Sequence, residues 1–116
     1  MNTFELENKK VFVAGHKGMV GMAVIKKLEK ENCQIITIDK SKVNLMMQRD
    51  VETWMKEHLP DVVIICAAKV GGILANNSYP AEFIYNNLMI AANLIHAAHL
   101  SKVKKLIYLG SSCIYP

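Results

Sequence analysis

Arginine, cysteine, proline and tryptophan are all scarce in this chain, and no long apolar run occurs. Only Arg49 among the 14 basic residues is an arginine. Nucleic-acid grooves favour arginine with interleaved aromatics. Here the lysines are dispersed, as in Lys26, Lys27, Lys30 and Lys56, and they read as solvated helix faces. No nucleic-acid partner is expected. Cys33, Cys66 and Cys113 make an odd count, which excludes a disulfide framework and argues for free thiols in a reducing, cytoplasmic compartment. The longest apolar run, Val62 to Ala68, falls far short of the roughly 20 residues of a membrane span. The opening MNTFELENKK has no apolar stretch that could act as a secretion signal. Neither a membrane nor secretion is expected, so Asn76-Asn77-Ser78 reads as a polar loop, not a glycosylation site. His96 and His99 have a spacing metals use, but no third ligand lies near them, so no metal is expected.

What is present is a chain of 116 residues, 52% hydrophobic and 21% charged, which suits one domain with a modest core. The net charge of +4 favours a phosphate-bearing ligand. Two kinds of segment alternate. Lys10 to Ala14, Gln34 to Asp39, Val62 to Ala68 and Lys105 to Leu109 read as strands, the third a continuous apolar run of the kind covered on both faces. Gly18 to Glu31, Met46 to His58 and Pro80 to His99 read as helices. Their apolar stripes are expected to be Val20, Val24, Ile25 and Leu28 in the first, and Val51, Trp54, Met55 and His58 in the second. In the third the stripe is Ile84, Leu88, Ala91, Ile95 and Ala98. Pro60 ends the second helix and Pro80 suits the start of the third. The β-α-β-α-β-α-β order implies parallel pairing with right-handed crossovers. The fold class expected is α/β, a Rossmann-like doubly wound parallel sheet. Its strand order is expected to be 3-2-1-4, with the switch point between the first and fourth strands.

Between the first strand and first helix stands Gly15-His16-Lys17-Gly18-Met19-Val20-Gly21. Gly15 would allow a sharp turn off the strand, Gly18 a close approach to a diphosphate, and Gly21 close packing of helix on sheet. The helix start would offer free N–H groups and a partial positive charge to the anion. A tight structural turn without a ligand is the plainer alternative. Asp39 ends the second strand, where a carboxylate bonds the ribose 2′-OH and favours NAD. Lys17, Lys40 and Lys42 would instead pair with the 2′-phosphate of NADP. The residues alone leave this choice open.

Three stretches carry more: VFVAGHKGMVG (Val11 to Gly21), AAKVGGILANNSYPAEFIYNNLMI (Ala67 to Ile90) and LGSSCIYP (Leu109 to Pro116). The chain resembles the extended short-chain dehydrogenase/reductase family from about Lys10 to Pro116. The Lys69-Val70-Gly71-Gly72 loop and Cys113 point to one activity within it. The resemblance implies NADP (as NADPH) as cofactor, with NAD kept open by Asp39, and a GDP-sugar substrate. The reaction implied is epimerisation of C3 and C5 of GDP-4-keto-6-deoxy-D-mannose and reduction of its C4 ketone, giving GDP-L-fucose. It places the catalytic roles on Ser111, as donor to the keto oxygen, and Cys113, as acid/base in the epimerisation. On spacing alone, Cys113 better suits a small buried hydrophobe at a strand end, and it is the surrounding motif that reverses this. Cofactor contacts are implied at Gly15, His16, Lys17, Gly18, Met19, Val20 and Gly21. Others fall at Lys40 and its neighbours up to Asn44 and Leu45, at Ala67 and Ala68, and at Gly110 and Ser111, with Asp39 the uncertain neighbour. Asn87 and Asn93 lie six apart and so on different faces of the third helix. Asn87 could serve the cofactor side and Asn93 is expected to bond locally.

The same resemblance marks what the 116 residues do not contain. No tyrosine here stands four before a lysine, so the family's Tyr-x-x-x-Lys pair is absent. The expectation is that residues 1–116 form the N-terminal part of a dinucleotide-binding Rossmann domain, with the substrate domain absent and the chain inactive alone. The fourth strand would then be an edge and one helix face uncovered, so a homodimer or other self-association is expected. A nucleotide-binding or interaction module without catalysis, and another epimerase or dehydratase of the family, are the alternatives.

Overall fold

A computed structural model describes residues 5–38, 41–66 and 80–109 of the chain, with 80–84 as backbone. Strand β1 (Lys10–Ala14) is followed by helix α1 (Met19–Leu28) and strand β2 (Gln34–Ile36). Helix α2 (Gln48–His58), strand β3 (Val62–Cys66), helix α3 (Pro80–Leu100) and strand β4 (Lys105–Leu109) complete the order. Helix α2 begins two residues later than its composition suggests. The Asn44 side chain and carbonyl take the N–H groups of Met46 and Met47, each at 3.0 Å, and hold them in a turn. Its end is a left-handed residue, Leu59 (φ 45°), whose N–H closes on the Met55 carbonyl ahead of Pro60.

All three strand pairings are parallel, as expected, but the order is β2-β1-β3-β4. The expected 3-2-1-4 order is therefore wrong. The third strand lies between the first and fourth instead of outside the second. Burial gives the reason. Strand β3, Val-Val-Ile-Ile-Cys, is buried at every position and needs a neighbour on each side. Strand β2 has only three residues, with Gln34 exposed, and suits an edge. The switch point moves with it, to lie between β1 and β3.

Alternation along the strands divides the core. Val11, Val13, Val62, Ile64 and Cys66 face α1 through Leu28. Phe12, Ala14, Val63 and Ile65 face α2 and α3 through Val51, Trp54, Met55 and Leu94. Phe12 and Trp54 rings meet at 4.5 Å between centroids, and His58 stacks on Trp54 at 4.2 Å. The stripe expected on α2 is thus the packed one. That expected on α1 is packed at Leu28 and half-packed at Val24 and Ile25, while Val20 is exposed. On α3 the expectation fails in part. Ala91 and Ala98 are buried, joined by Leu94 and Ala97, while Leu88 (61%) and Ile95 (42%) are exposed. The helix is apolar on two sides, and the alanine-rich side is the one that can approach the sheet closely.

The far end of the sheet is pinned by Asp61. Its Oδ2 accepts the Lys10 N–H at 2.8 Å, and its own N–H donates to the Lys10 carbonyl. Its carbonyl takes the Lys104 N–H, and its carboxylate lies 3.6 Å from the Lys104 ammonium. One residue thereby sets the register of β1, β3 and β4. The Lys10 N–H, helped by the Lys104 charge, holds the carboxyl below the usual carboxylate range despite partial burial. A lowered folded-state pKa stabilises above the unfolded value of about 3.9, and that gain is lost as pH falls through the folded value. Asp61→Ala should cost about 1–2 kcal/mol at pH 7 in urea unfolding. The gap to wild type should shrink below about pH 4, as the carboxyl protonates. A gap that stays constant from pH 7 to pH 3 would contradict the anchor.

Candidate functional site

The site starts from a turn that only glycine can make. Gly15 leaves β1 with φ +86°, and a Cβ on it would meet the Cys66 carbonyl at 2.6 Å. Gly18 accepts nothing unusual: its φ is −77°, and its N–H donates to the Gly15 carbonyl at 3.1 Å. Gly21 sits in the first turn of α1, where a Cβ would overlap the Gly15 carbonyl and lie 2.8 Å from the His16 Cα. Gly15 and Gly21 together draw the start of α1 onto the ends of β1 and β3. Steric need explains both. The backbone makes no such demand at Gly18, which is the N-cap of α1 in extended conformation.

No side chain caps α1 and no acidic residue stands in its first turn. The N–H groups of Met19, Val20 and Gly21 precede the first intrahelical bond, which Met22 makes to Gly18 at 2.9 Å. They present donors and the positive end of the helix dipole to whatever occupies the space in front. Beside this helix start, and lined by its N-cap Gly18, is a cavity of about 340 Å³. It lies at the carboxyl ends of β1 and β3, the switch point, where open α/β sheets bind ligands. Gly15, His16, Lys17 and Gly18 form one wall, Ile38 and Leu45 another, and Asn87, Ala91 and Tyr108 a third. Lys17 is exposed at the rim and His16 half-buried.

The structure thus brings Gly15, His16, Lys17, Gly18 and Leu45 to one cavity, as expected. Met19, Val20 and Gly21 do not line this cavity; the side chains of Met19 and Val20 are exposed and Gly21 is buried against the turn. Asn44 is exposed and its Oδ1 is taken by the Met46 N–H. Asp39, Lys40, Ala67, Ala68, Gly110, Ser111 and Cys113 lie outside the described residues. Asn87 lines the same cavity. Asn93 departs from expectation. It is buried, and its Nδ2 donates to the Leu45 carbonyl at 2.9 Å, a bond across 48 positions and not a local one. Tyr108, Ala91 and Leu94 also line the cavity and were not among the expected residues. Cys66 ends β3 beside the turn, and burial pushes its thiol up, so it is protonated at neutral pH. Among the described residues no group of three or more His, Cys, Asp or Glu could hold a metal ion. Among them, too, no helix is long and apolar enough to cross a membrane.

Comparison with known proteins gives the same picture from outside. Residues 11–116 match the profile of the NAD dependent epimerase/dehydratase family. A GDP-L-fucose synthase of Sinorhizobium fredii is 51% identical over 116 residues, which are 100% of this chain and 37% of that protein. A GDP-L-fucose synthase of Escherichia coli is 48% identical over 112 residues, 96% of this chain and 35% of that one. A GDP-mannoheptose C4 reductase from Campylobacter jejuni, solved with NADP bound, superposes with a TM-score of 0.83 at 38% identity. That match covers 94% of this chain and 35% of the reductase. The chain spans about a third of the length of the curated relatives it matches.

The three glycines differ in what they do, and their alanine variants should differ accordingly. Gly21→Ala should be the most destabilising, about 3 kcal/mol or more, since backbone must move. Gly15→Ala should cost about 1–3 kcal/mol through its left-handed φ and the Cys66 contact. Gly18→Ala should cost about 1 kcal/mol or less. Urea unfolding of the three variants checks the ranking, and a Gly18→Ala loss equal to the others would contradict it.

Proposed function

The chain belongs to the NAD dependent epimerase/dehydratase family, and we propose that it is the dinucleotide-binding part of a GDP-L-fucose synthase. The observation that carries this reading is the glycine turn at the switch point, with its uncapped helix start and open cavity. The residues present suit a dinucleotide. The diphosphate would sit before the N–H groups of Met19, Val20 and Gly21, and the adenosine would extend toward Ile38 and Leu45. Lys17 at the rim supports NADP over NAD, because an ammonium there can pair with a 2′-phosphate that a carboxylate would repel. Lys40, with Lys42 after it, would add to that charge, and Asp39 would oppose it. Free thiols at Cys33 and Cys66 support a cytoplasmic setting.

The substrate proposed is GDP-4-keto-6-deoxy-D-mannose. The hydrogens on C3 and C5 both lie α to the C4 ketone, which makes them acidic enough for a thiol or thiolate such as Cys113 to exchange them. Ser111 would donate to the keto oxygen as negative charge builds there. When bound, the nicotinamide supplies the hydride for C4. With no tyrosine four before a lysine, the 116 residues should bind cofactor without turning substrate over.

Isothermal titration with NADPH and NADH tests the reading. Binding of NADPH at least about tenfold tighter than NADH, a difference of about 1.4 kcal/mol, is expected. Equal heats for the two would overturn the NADP assignment, and no heat from either would overturn dinucleotide binding.

A further inference from the structure

Asn93 is the buried polar residue among those described, 6% exposed on a helix otherwise packed through alanine and leucine. Its amide spans from α3 to the carbonyl of Leu45, in the segment between β2 and α2. That segment shapes itself locally: Asn44 ties down Met46 and Met47. Local bonds of this kind fix the form of a turn and not its distance from the rest of the molecule. Leu45 is itself buried, so its carbonyl needs a donor. The donor comes from the helix that supplies Ala91 and Leu94 to the same cavity that Leu45 lines. One hydrogen bond therefore joins two walls of the cavity at its β2 end.

We propose that Asn93 is a positioning residue for dinucleotide binding, its amide setting the gap between the Leu45 wall and the α3 wall where the adenosine half is held. The proposal rests on the dinucleotide reading above, in which the carboxyl end of the second strand takes the adenosine. It adds a residue that touches no part of the ligand. The glycine turn, at the other wall, is built without it.

That separation supplies the test. Wild type, Asn93→Leu and Asn93→Ala are titrated with 2′,5′-ADP, which reads the adenosine end, and with inorganic pyrophosphate, which reads the glycine turn. Circular dichroism checks that each is folded. The variants should bind 2′,5′-ADP about tenfold or more weakly, as expected when a supporting contact lets a wall drift. Their pyrophosphate affinity should stay within about twofold of wild type, because the turn is intact. Unchanged 2′,5′-ADP binding, or an equal loss for both ligands, would overturn the proposal and leave Asn93 a packing residue. So would failure of both variants to fold. If wild-type protein binds neither ligand, the dinucleotide reading falls and this inference with it. If it binds both and only the variant result fails, the reading stands and this inference alone is lost.

Discussion

Two backbone contacts, neither of which leaves room for a side chain, hold the functional end of this molecule together. The Gly15 Cα lies against the Cys66 carbonyl, and the Gly21 Cα lies against the Gly15 carbonyl. Through the first, the turn after β1 meets the end of β3. Through the second, the first helical turn folds back onto that same loop. A methyl group at either place would push the start of α1 away from the sheet. With both contacts made, the uncapped start of α1 stands next to the cavity that Gly15 to Gly18 line. The diphosphate site proposed at this point would follow from that close packing, with the helix dipole adding its share.

The rest of the fold keeps those contacts in register. The parallel strands bring Ala14 and Cys66 to the same end of the sheet. At the opposite end, Asp61 ties β1, β3 and β4 through backbone hydrogen bonds and one charged side chain. Core packing on the two faces differs. Helix α1 lies over aliphatic residues, whereas α2, through Trp54, and α3 lie over the face that carries Phe12. The cavity opens beside the second pair, so its walls come from segments far apart in the chain, and the Asn93 bond to Leu45 spans between them.

Much of this could be read from the residues, and what could not has a physical reason. The alternation of β-branched runs with helical spacing gave every described strand and helix, because local propensity and burial pattern agree there. The spacing of Gly15, Gly18 and Gly21 located the turn, since only glycine satisfies its two close contacts. Strand order was misread because a generic doubly wound pattern was placed ahead of burial. The uniformly apolar β3 could have been put inside, and the short, half-polar β2 at the edge, from composition alone. The α3 stripe was right at Ala91 and Ala98, which are buried, and wrong at Leu88 and Ile95, which are exposed beside them while Leu94 and Ala97 are packed instead. Hydrophobicity does not distinguish two apolar sides; the size of the side chains, which governs how near a helix can come, does. Asn93 was beyond local reading, because its partner stands 48 positions away.

The central claim, that first-turn N–H groups bared by glycine hold a diphosphate, is most directly tested by following backbone amides in nitrogen-15 NMR as NADPH is added. The account predicts large downfield shifts and slowed solvent exchange at Met19, Val20 and Gly21, as charge-assisted hydrogen bonds form. It predicts smaller changes along the rest of α1. Shifts that spare these three amides while NADPH binds elsewhere on the chain would contradict it.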